Sequence, residues 1–199
     1  MCKLTGITLV LCLVAAASHA QDSYIAFDDE GNMLISGPFE LTIPKPGEAR
    51  QGGPKESSPS LLNEELKVSV AGYFGADQFV VVQVETTDAG AGTMSNEHLP
   101  VMELAGENFR ARKGCADISQ EELNADDDPL FEFVERYNVQ IVPAVMVMQL
   151  VAVDDSGSAL GTVFFMRNVP GGCESMTSQF EEKFSRDFER FIESVRAAN

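Results

Sequence analysis

The pattern of hydrophobic positions along this chain predicts a series of β-hairpins. Runs rich in β-branched and aromatic residues occur in pairs, and each pair flanks a short polar or glycine-containing turn. The pairs are Tyr24–Phe27 with Met33–Ile35, Val68–Phe74 with Phe79–Glu85, Val101–Leu104 with Asn108–Lys113, and Val139–Val153 with Leu160–Met166. Pro143 falls in the last pair and predicts a bulge or the beginning of a strand, because proline cannot donate to a ladder.

Two segments change to the three- and four-residue spacing of an amphipathic helix. The C-terminal one repeats Phe180, Phe184, Phe188, Phe191, Ile192 and Val195, with charged residues between them. Ser178 and Glu181 match a capping box at its start. The shorter one carries Leu130, Phe133, Val134 and Tyr137 behind Asp128 and Pro129, which suit an N-cap and a first helical position.

Together these elements predict an α+β fold. We expect a mostly antiparallel sheet built from hairpins, covered on one face by the C-terminal amphipathic helix and the shorter helix. The long strands are apolar on both faces, so the second face is expected to meet the N-terminal segment, a partner subunit or a ligand.

The chain divides by composition into four parts. Residues 1–20 have a basic start at Lys3, an apolar run and the small residues Ser18 and Ala20, which is typical of a signal peptide cleaved after Ala20. Residues 21–43 are a short N-terminal β segment, 44–60 a linker rich in proline, glycine and serine, and 61–199 the α+β domain. The apolar run is too short for a membrane span of roughly 20 residues. A soluble periplasmic or extracellular protein, without membrane insertion after signal removal, is therefore expected.

The charge of the chain is strongly negative. Its 14 basic and 31 acidic side chains give a net charge of −17 at pH 7, and Lys3 would leave with the signal. Such a field repels nucleic acids, because contact with phosphate has to overcome it first. A nucleic-acid partner is therefore not expected.

Cysteine and histidine are scarce after the predicted cleavage. Cys115 and Cys173 remain, and an exported pair predicts a disulfide bond. His98 is the one histidine left, which excludes a histidine-based triad or a multi-histidine metal site. We expect no cofactor and name no catalytic residue.

Three acidic segments and one methionine pair contain residue types that can bind metals. Asp126–Asp128, Asp154–Asp155 and Asp28–Asn32 could supply oxygen ligands to calcium, although their spacing does not match an EF-hand. Capping and turn formation explain these acids more simply. Met146 and Met148 would share one strand face and could hold Cu(I), but core packing is the simpler role. No metal site is predicted.

The best sequence candidate for a binding site is a small basic patch. Arg110, Arg112 and Lys113 lie within four residues of one another, close to Cys115. Arg110 and Arg112 would share a strand face, and a disulfide to Cys173 would bring the patch towards Gly171–Gly172 and the start of the last helix, where free amides favour anions. Local neutralisation of an acidic surface is the alternative role.

These features favour an exported, non-enzymatic binding or accessory protein whose partner is an unidentified protein or small ligand. A carboxylate-based hydrolase is the enzyme alternative, and it predicts a cleft that holds two acids. The absence of tryptophan weakens a sugar-processing role. Self-association through the sheet face is a third hypothesis, and it predicts a homodimer and no pocket.

Overall fold

Antiparallel hairpins form most of the fold. A computed structural model describes residues 23–58, 60–61, 64–87, 98–121, 129–139, 141–153 and 158–199. The strands are β1 (Ile25–Phe27), β2 (Met33–Ile35), β3 (Leu41–Ile43), β4 (Arg50–Ser57), β5 (Ser60–Leu61), β6 (Glu64–Phe74), β7 (Gln78–Thr87), β8 (Val101–Leu104), β9 (Glu107–Asp117), β10 (Ala144–Val153) and β11 (Ala159–Asn168). The helices are α1 (Pro129–Arg136), a 3₁₀ turn (Cys173–Ser175) and α2 (Ser178–Ala198). The predicted α+β class is confirmed.

The predicted hairpins are all present. β1–β2, β6–β7, β8–β9 and β10–β11 each pair in antiparallel fashion. β3 adds a third strand to the N-terminal hairpin, so β1, β2 and β3 form a small sheet in that order. Pro143 stands directly before β10, which agrees with its predicted position at the beginning of a strand.

A long-range pairing joins the larger hairpins into one sheet. Its strand order is β4-β6-β7-β11-β10-β9-β8, and β5 also pairs with β6. The join is the antiparallel β7–β11 ladder, in which Phe79 lies opposite Met166 and Val82 opposite Val163. The apolar centre of the sheet is therefore made from strands that are far apart in sequence.

The two faces of this sheet are covered by different helices. Along β7, Val80 and Val82 belong to one buried cluster, whereas Phe79 and Val81 belong to the other, as the alternation of side chains along a strand requires. The first cluster includes α2 and the small N-terminal sheet, so we call its side of the sheet the α2 face. The second includes Phe133 of α1, and its side is the α1 face.

This arrangement differs from the expectation that both helices lie on one face. The central strands are apolar on both sides, and each helix offers only one apolar stripe. Placing α1 and α2 on opposite faces buries both sides of the strands. The N-terminal segment, expected as a possible cover for the second face, instead shares the α2 face with α2.

Part of the predicted linker is a strand. Residues 44–60 include β4, which pairs with β6 as an outer strand of the large sheet. Gly53 has a positive φ of 83°, and a Cβ there would lie 2.6 Å from the carbonyl oxygen of Val70. The pairing shifts between Gly52 and Lys55, around Pro54. Proline and glycine are tolerated there because β4 is an edge strand with a bulge.

Helix α2 begins one residue earlier than the predicted capping box. Thr177 is the N-cap, and its hydroxyl accepts a hydrogen bond from the Phe180 N–H at 3.2 Å. Asn199 follows the helix and bonds to both backbone groups of Thr42 in β3, at 2.9 Å each. The C-terminal helix is therefore tied at its end to the small N-terminal sheet.

Candidate functional site

The basic patch predicted from the sequence is divided between the two faces of β9. Arg110 and Arg112 share the α1 face, as expected, and Arg110 donates a hydrogen bond to the Leu99 carbonyl at 3.0 Å. Lys113 lies on the other side, where its Nζ donates to the Ser185 hydroxyl of α2 at 3.0 Å. Because neighbouring residues of a strand alternate in direction, the three cations do not form one surface. An anion-binding role for them stays a prediction.

Cys115 and Cys173 connect β9 to the 3₁₀ turn before α2. Their sulfur atoms are 2.13 Å apart, at disulfide-bonding distance, as the sequence predicts. The Cys173 N–H also donates to the Asp117 carboxylate at 2.8 Å. These contacts hold the segment that leads into α2 against the end of β9.

The acids and methionines considered as metal ligands have structural roles where the structure describes them. The described residues contain no group of three or more His, Cys, Asp or Glu side chains able to hold a metal ion. Asp126–Asp128 and Asp154–Asp155 lie outside the described residues. Met146 is buried on the α2 face and Met148 is half-buried against the same cluster, as a core role predicts.

Asp28 organises the turn between β1 and β2. Its Oδ1 accepts hydrogen bonds from the N–H groups of Glu30 and Asn32, at 2.9 and 2.8 Å. The side-chain hydrogen bond from Asn32 is the largest of the effects that hold the pKa of Asp28 below its ordinary value. This carboxylate therefore serves the turn.

A cleft lies at the β6–β7 turn. It encloses about 700 Å³ and is lined from three directions: by the β3–β4 connection, by the turn and adjoining ends of β6 and β7, and by the segment after α1. Its charged lining residues are Glu48, Arg50 and Asp77. Pro46, Ala49, Ala76 and Val139 provide apolar surface over the buried Phe74, Phe79 and Val80. Such volume and mixed lining are typical of a ligand site.

Aromatic packing and hydrogen bonds around Tyr137 hold β4 and the end of β6 against the end of α1 on one side of the cleft. The Tyr137 ring stacks on Phe74 with centroids 5.1 Å apart, and its hydroxyl accepts a hydrogen bond from the Gly53 N–H at 2.8 Å. Arg50 donates from Nη2 to the Tyr137 carbonyl at 3.2 Å. The position of Arg50 in the cleft is therefore set by the end of α1.

Tyr73 connects the cleft to the small N-terminal sheet. Its hydroxyl donates to the Gly31 carbonyl at 2.6 Å and also lies 3.2 Å from the Ile43 carbonyl. Burial raises the pKa of Tyr73 well above its ordinary value. The phenol therefore stays protonated at any working pH and anchors the small sheet.

Behind the cleft, Asp77 takes part in an ion-pair network with a buried arginine. Arg167, in β11, is 8% exposed and pairs with Asp77 through Nη2 and with Asp187 of α2 through Nη1, the latter at 2.8 Å. The Arg167 guanidinium also lies 5.5 Å from the centroid of the Phe180 ring. The network links the β6–β7 turn, the sheet and α2.

Asp187 is the shared acceptor of this network. Lys183 donates to its Oδ2 at 2.8 Å, and Arg190 approaches Oδ1 at 3.4 Å. Partial burial acts to raise the pKa of Asp187, but the hydrogen bond and charge of Lys183, with the charges of Arg167 and Arg190, outweigh it. The pKa of Asp187 therefore lies below the ordinary value of 3.8.

We expect Asp187→Asn to lower the free energy of unfolding by about 2 kcal/mol at neutral pH. Removing one member of a buried pair usually costs about 3–5 kcal/mol, and here Arg167 keeps Asp77 as a partner. Because the folded-state pKa of Asp187 is lowered, its contribution is complete above the unfolded-state pKa of about 3.9 and is lost as the pH falls through the lower folded-state pKa. Urea unfolding of both proteins at several pH values from about 2.5 to about 7, a range that spans the ordinary carboxyl pKa, measures the difference in the free energy of unfolding.

Glu182→Gln is the matched control for this prediction, because Glu182 is exposed on the same helix and pairs only loosely with Arg186, at 3.7 Å. We expect it to change the stability by less than about 0.5 kcal/mol. A loss for Asp187→Asn that equals the control, or that grows as the pH falls, would contradict the assigned role of the network.

Sequence reasoning missed the cleft and the network behind it. Glu48 and Arg50 fall in the segment interpreted as a linker, and Asp77 falls in a predicted turn. Arg167 carries the one signal that could have been used: a cation next to Met166 in an apolar strand has to find an acidic partner when it is buried. The identity of that partner depends on the tertiary structure.

Comparisons of the chain with protein-family models, with curated proteins and with solved structures find no match. Among the residues that the structure describes, no helix is long and apolar enough to cross a membrane.

Proposed function

We propose that this protein is an exported, non-enzymatic binding protein, periplasmic or secreted, and that the cleft at the β6–β7 turn holds its ligand. The observation that carries the proposal is the cleft itself. Its volume of about 700 Å³ falls in the range of ligand sites, and its lining combines apolar side chains with a few charged groups. The signal-like residues 1–20 and the bonded cysteines support export.

The lining favours binding over catalysis. In the described cleft there is no histidine, cysteine, serine or lysine side chain that could act as a nucleophile or its base. The carboxylates present are Glu48 and Asp77. Arg167 holds Asp77 through Oδ2, so Asp77 keeps only Oδ1 for a ligand, which suits a hydrogen-bond acceptor better than one half of a hydrolase's acid pair. Self-association is less favoured, because that hypothesis predicts no pocket.

A tryptophan reporter tests this function, because the natural chain contains no tryptophan. We expect Ala76→Trp, in the exposed turn of the cleft, to change its fluorescence when a ligand binds, and we expect Ala26→Trp, exposed on β1, to remain unchanged. The panel consists of amino acids, short peptides of different charge, polyamines, oligosaccharides and fatty acids. Native mass spectrometry of the protein from the periplasm would detect a retained ligand and show whether residues 1–20 are removed.

Three results would contradict the proposal. The cleft would not be a ligand site if the Ala76→Trp fluorescence changed with no member of the panel and the native mass equalled that of the protein alone. Hydrolysis of chromogenic glycosides or esters that is lost in a Glu48→Gln variant would indicate the hydrolase. A stable dimer whose interface contains the cleft would indicate self-association.

A further inference from the structure

We infer that the cleft binds a basic peptide segment, with a lysine or arginine side chain against Glu48 and Asp77 and the peptide backbone against Arg50. This inference rests on the proposed ligand-binding function and adds the chemical class of the ligand.

Glu48 and Asp77, the two carboxylates of the cleft, both have oxygen atoms open to a ligand. Glu48 is exposed on the β3–β4 connection and lines the cleft, and it has no hydrogen bond or ion pair with any described residue. The side chain of Asp77 is 60% exposed; Arg167 engages its Oδ2 and leaves Oδ1 without a described donor. Both carboxylates can therefore accept hydrogen bonds from a cation in the cleft.

Arg50 favours a peptide over a simple amine. Its Nη2 donates to Tyr137, which holds the side chain in place, while most of the five guanidinium N–H donors remain available. Such donors suit the carbonyl oxygens of an extended backbone. A simple polyamine has no acceptor for them, so it would leave Arg50 unused.

The apolar surface that a ligand can reach suits the aliphatic part of a basic side chain. It belongs to the exposed Pro46 and Ala76 and the half-buried Ala49 and Val139, which line the same cleft as the charged groups. Lysine and arginine place their methylene stems on apolar surface while the charged end reaches a polar partner. A basic segment with apolar neighbours therefore matches both parts of the lining.

The charge of the whole protein acts in the same direction. A net charge of −17 draws cationic partners towards the molecule and repels acidic ones. This long-range attraction alone does not select a site. The local carboxylates have to account for binding at the cleft, and the two contributions can be separated by mutation.

The test is calorimetric titration of the exported protein, disulfide intact, with the peptide Ac-Leu-Lys-Leu-Lys-Leu-NH2 at low salt. We expect Glu48→Gln to weaken binding about 3- to 5-fold, the effect of losing one exposed charge pair. Glu189→Gln, which removes an exposed charge of α2 outside the cleft, should change the affinity less than 2-fold, a small effect expected of a remote surface charge. The acidic peptide Ac-Leu-Glu-Leu-Glu-Leu-NH2 should not bind, and spermidine should bind more weakly than the basic peptide.

Equal weakening in Glu48→Gln and Glu189→Gln would show that only the overall charge attracts the peptide, and it would overturn the inference. Spermidine binding as tightly as the peptide would also overturn it. A fluorescence response of Ala76→Trp to a neutral or acidic ligand, with no response to the basic peptide, would refute the ligand class and leave the ligand-binding function standing. If the Ala76→Trp fluorescence changed with no ligand at all, both the ligand class and the ligand-binding function would be refuted.

Discussion

Replacing both cysteines, as Cys115→Ser with Cys173→Ser, is expected to lower the free energy of unfolding by about 4 kcal/mol. The bond joins residues 58 positions apart, so its loss releases a large loop in the unfolded chain. It also frees the 3₁₀ turn that leads into α2 from the end of β9. Urea unfolding of the wild-type protein and the double variant, both without reductant, measures the difference.

Reduction supplies the control for this variant. Dithiothreitol should lower the stability of the wild-type protein to that of the double variant and should leave the double variant unchanged. A wild-type protein that is insensitive to reductant, or a double variant within about 1 kcal/mol of it, would show that the disulfide does not constrain the folded protein, since a native disulfide in a small domain typically contributes about 2–5 kcal/mol.

Phe165→Ala should cost a similar amount, about 4 kcal/mol, because it removes the ring on which α2 packs. Phe165 is 1% exposed in β11, and its ring centroid lies 5.4, 5.5 and 5.3 Å from those of Phe184, Phe188 and Phe191. The substitution leaves a cavity among side chains that cannot all move inward. Chemical denaturation measures the loss, and amide exchange shows whether it weakens α2.

Phe164→Ala is the matched control, since Phe164 precedes Phe165 in the same strand and is half-buried on the α1 face. We expect a loss of about 2 kcal/mol, with α2 still protected, because less apolar surface leaves the interior. If Phe164→Ala cost as much as Phe165→Ala, or exposed α2 equally, the assignment of the two faces would be wrong.

The candidate cleft is less predictable from the sequence than the fold. The basic patch is the sequence candidate because three cations lie together in sequence, but strand geometry places Lys113 on the opposite face from Arg110 and Arg112. Glu48, Arg50 and Asp77 are unremarkable in sequence and become neighbours of one cleft only when the β6–β7 turn, the β3–β4 connection and the end of α1 meet. Arg50 illustrates the reason: its partner is the carbonyl of Tyr137, 87 residues away.

The sequence by itself determined the hairpins and both helices, because turn residues and the hydrophobic period act locally. With Cys2 and Cys12 in the predicted signal, it also predicted the pairing of Cys115 with Cys173. Only the tertiary structure decided the β7–β11 ladder, the use of residues 50–57 as an edge strand and the placement of α1 and α2 on opposite faces. These depend on which apolar surfaces find one another once the elements exist. The burial of apolar surface is non-directional. A local hydrophobic pattern therefore predicts how much apolar surface an element must bury, but it does not predict which other element will cover that surface.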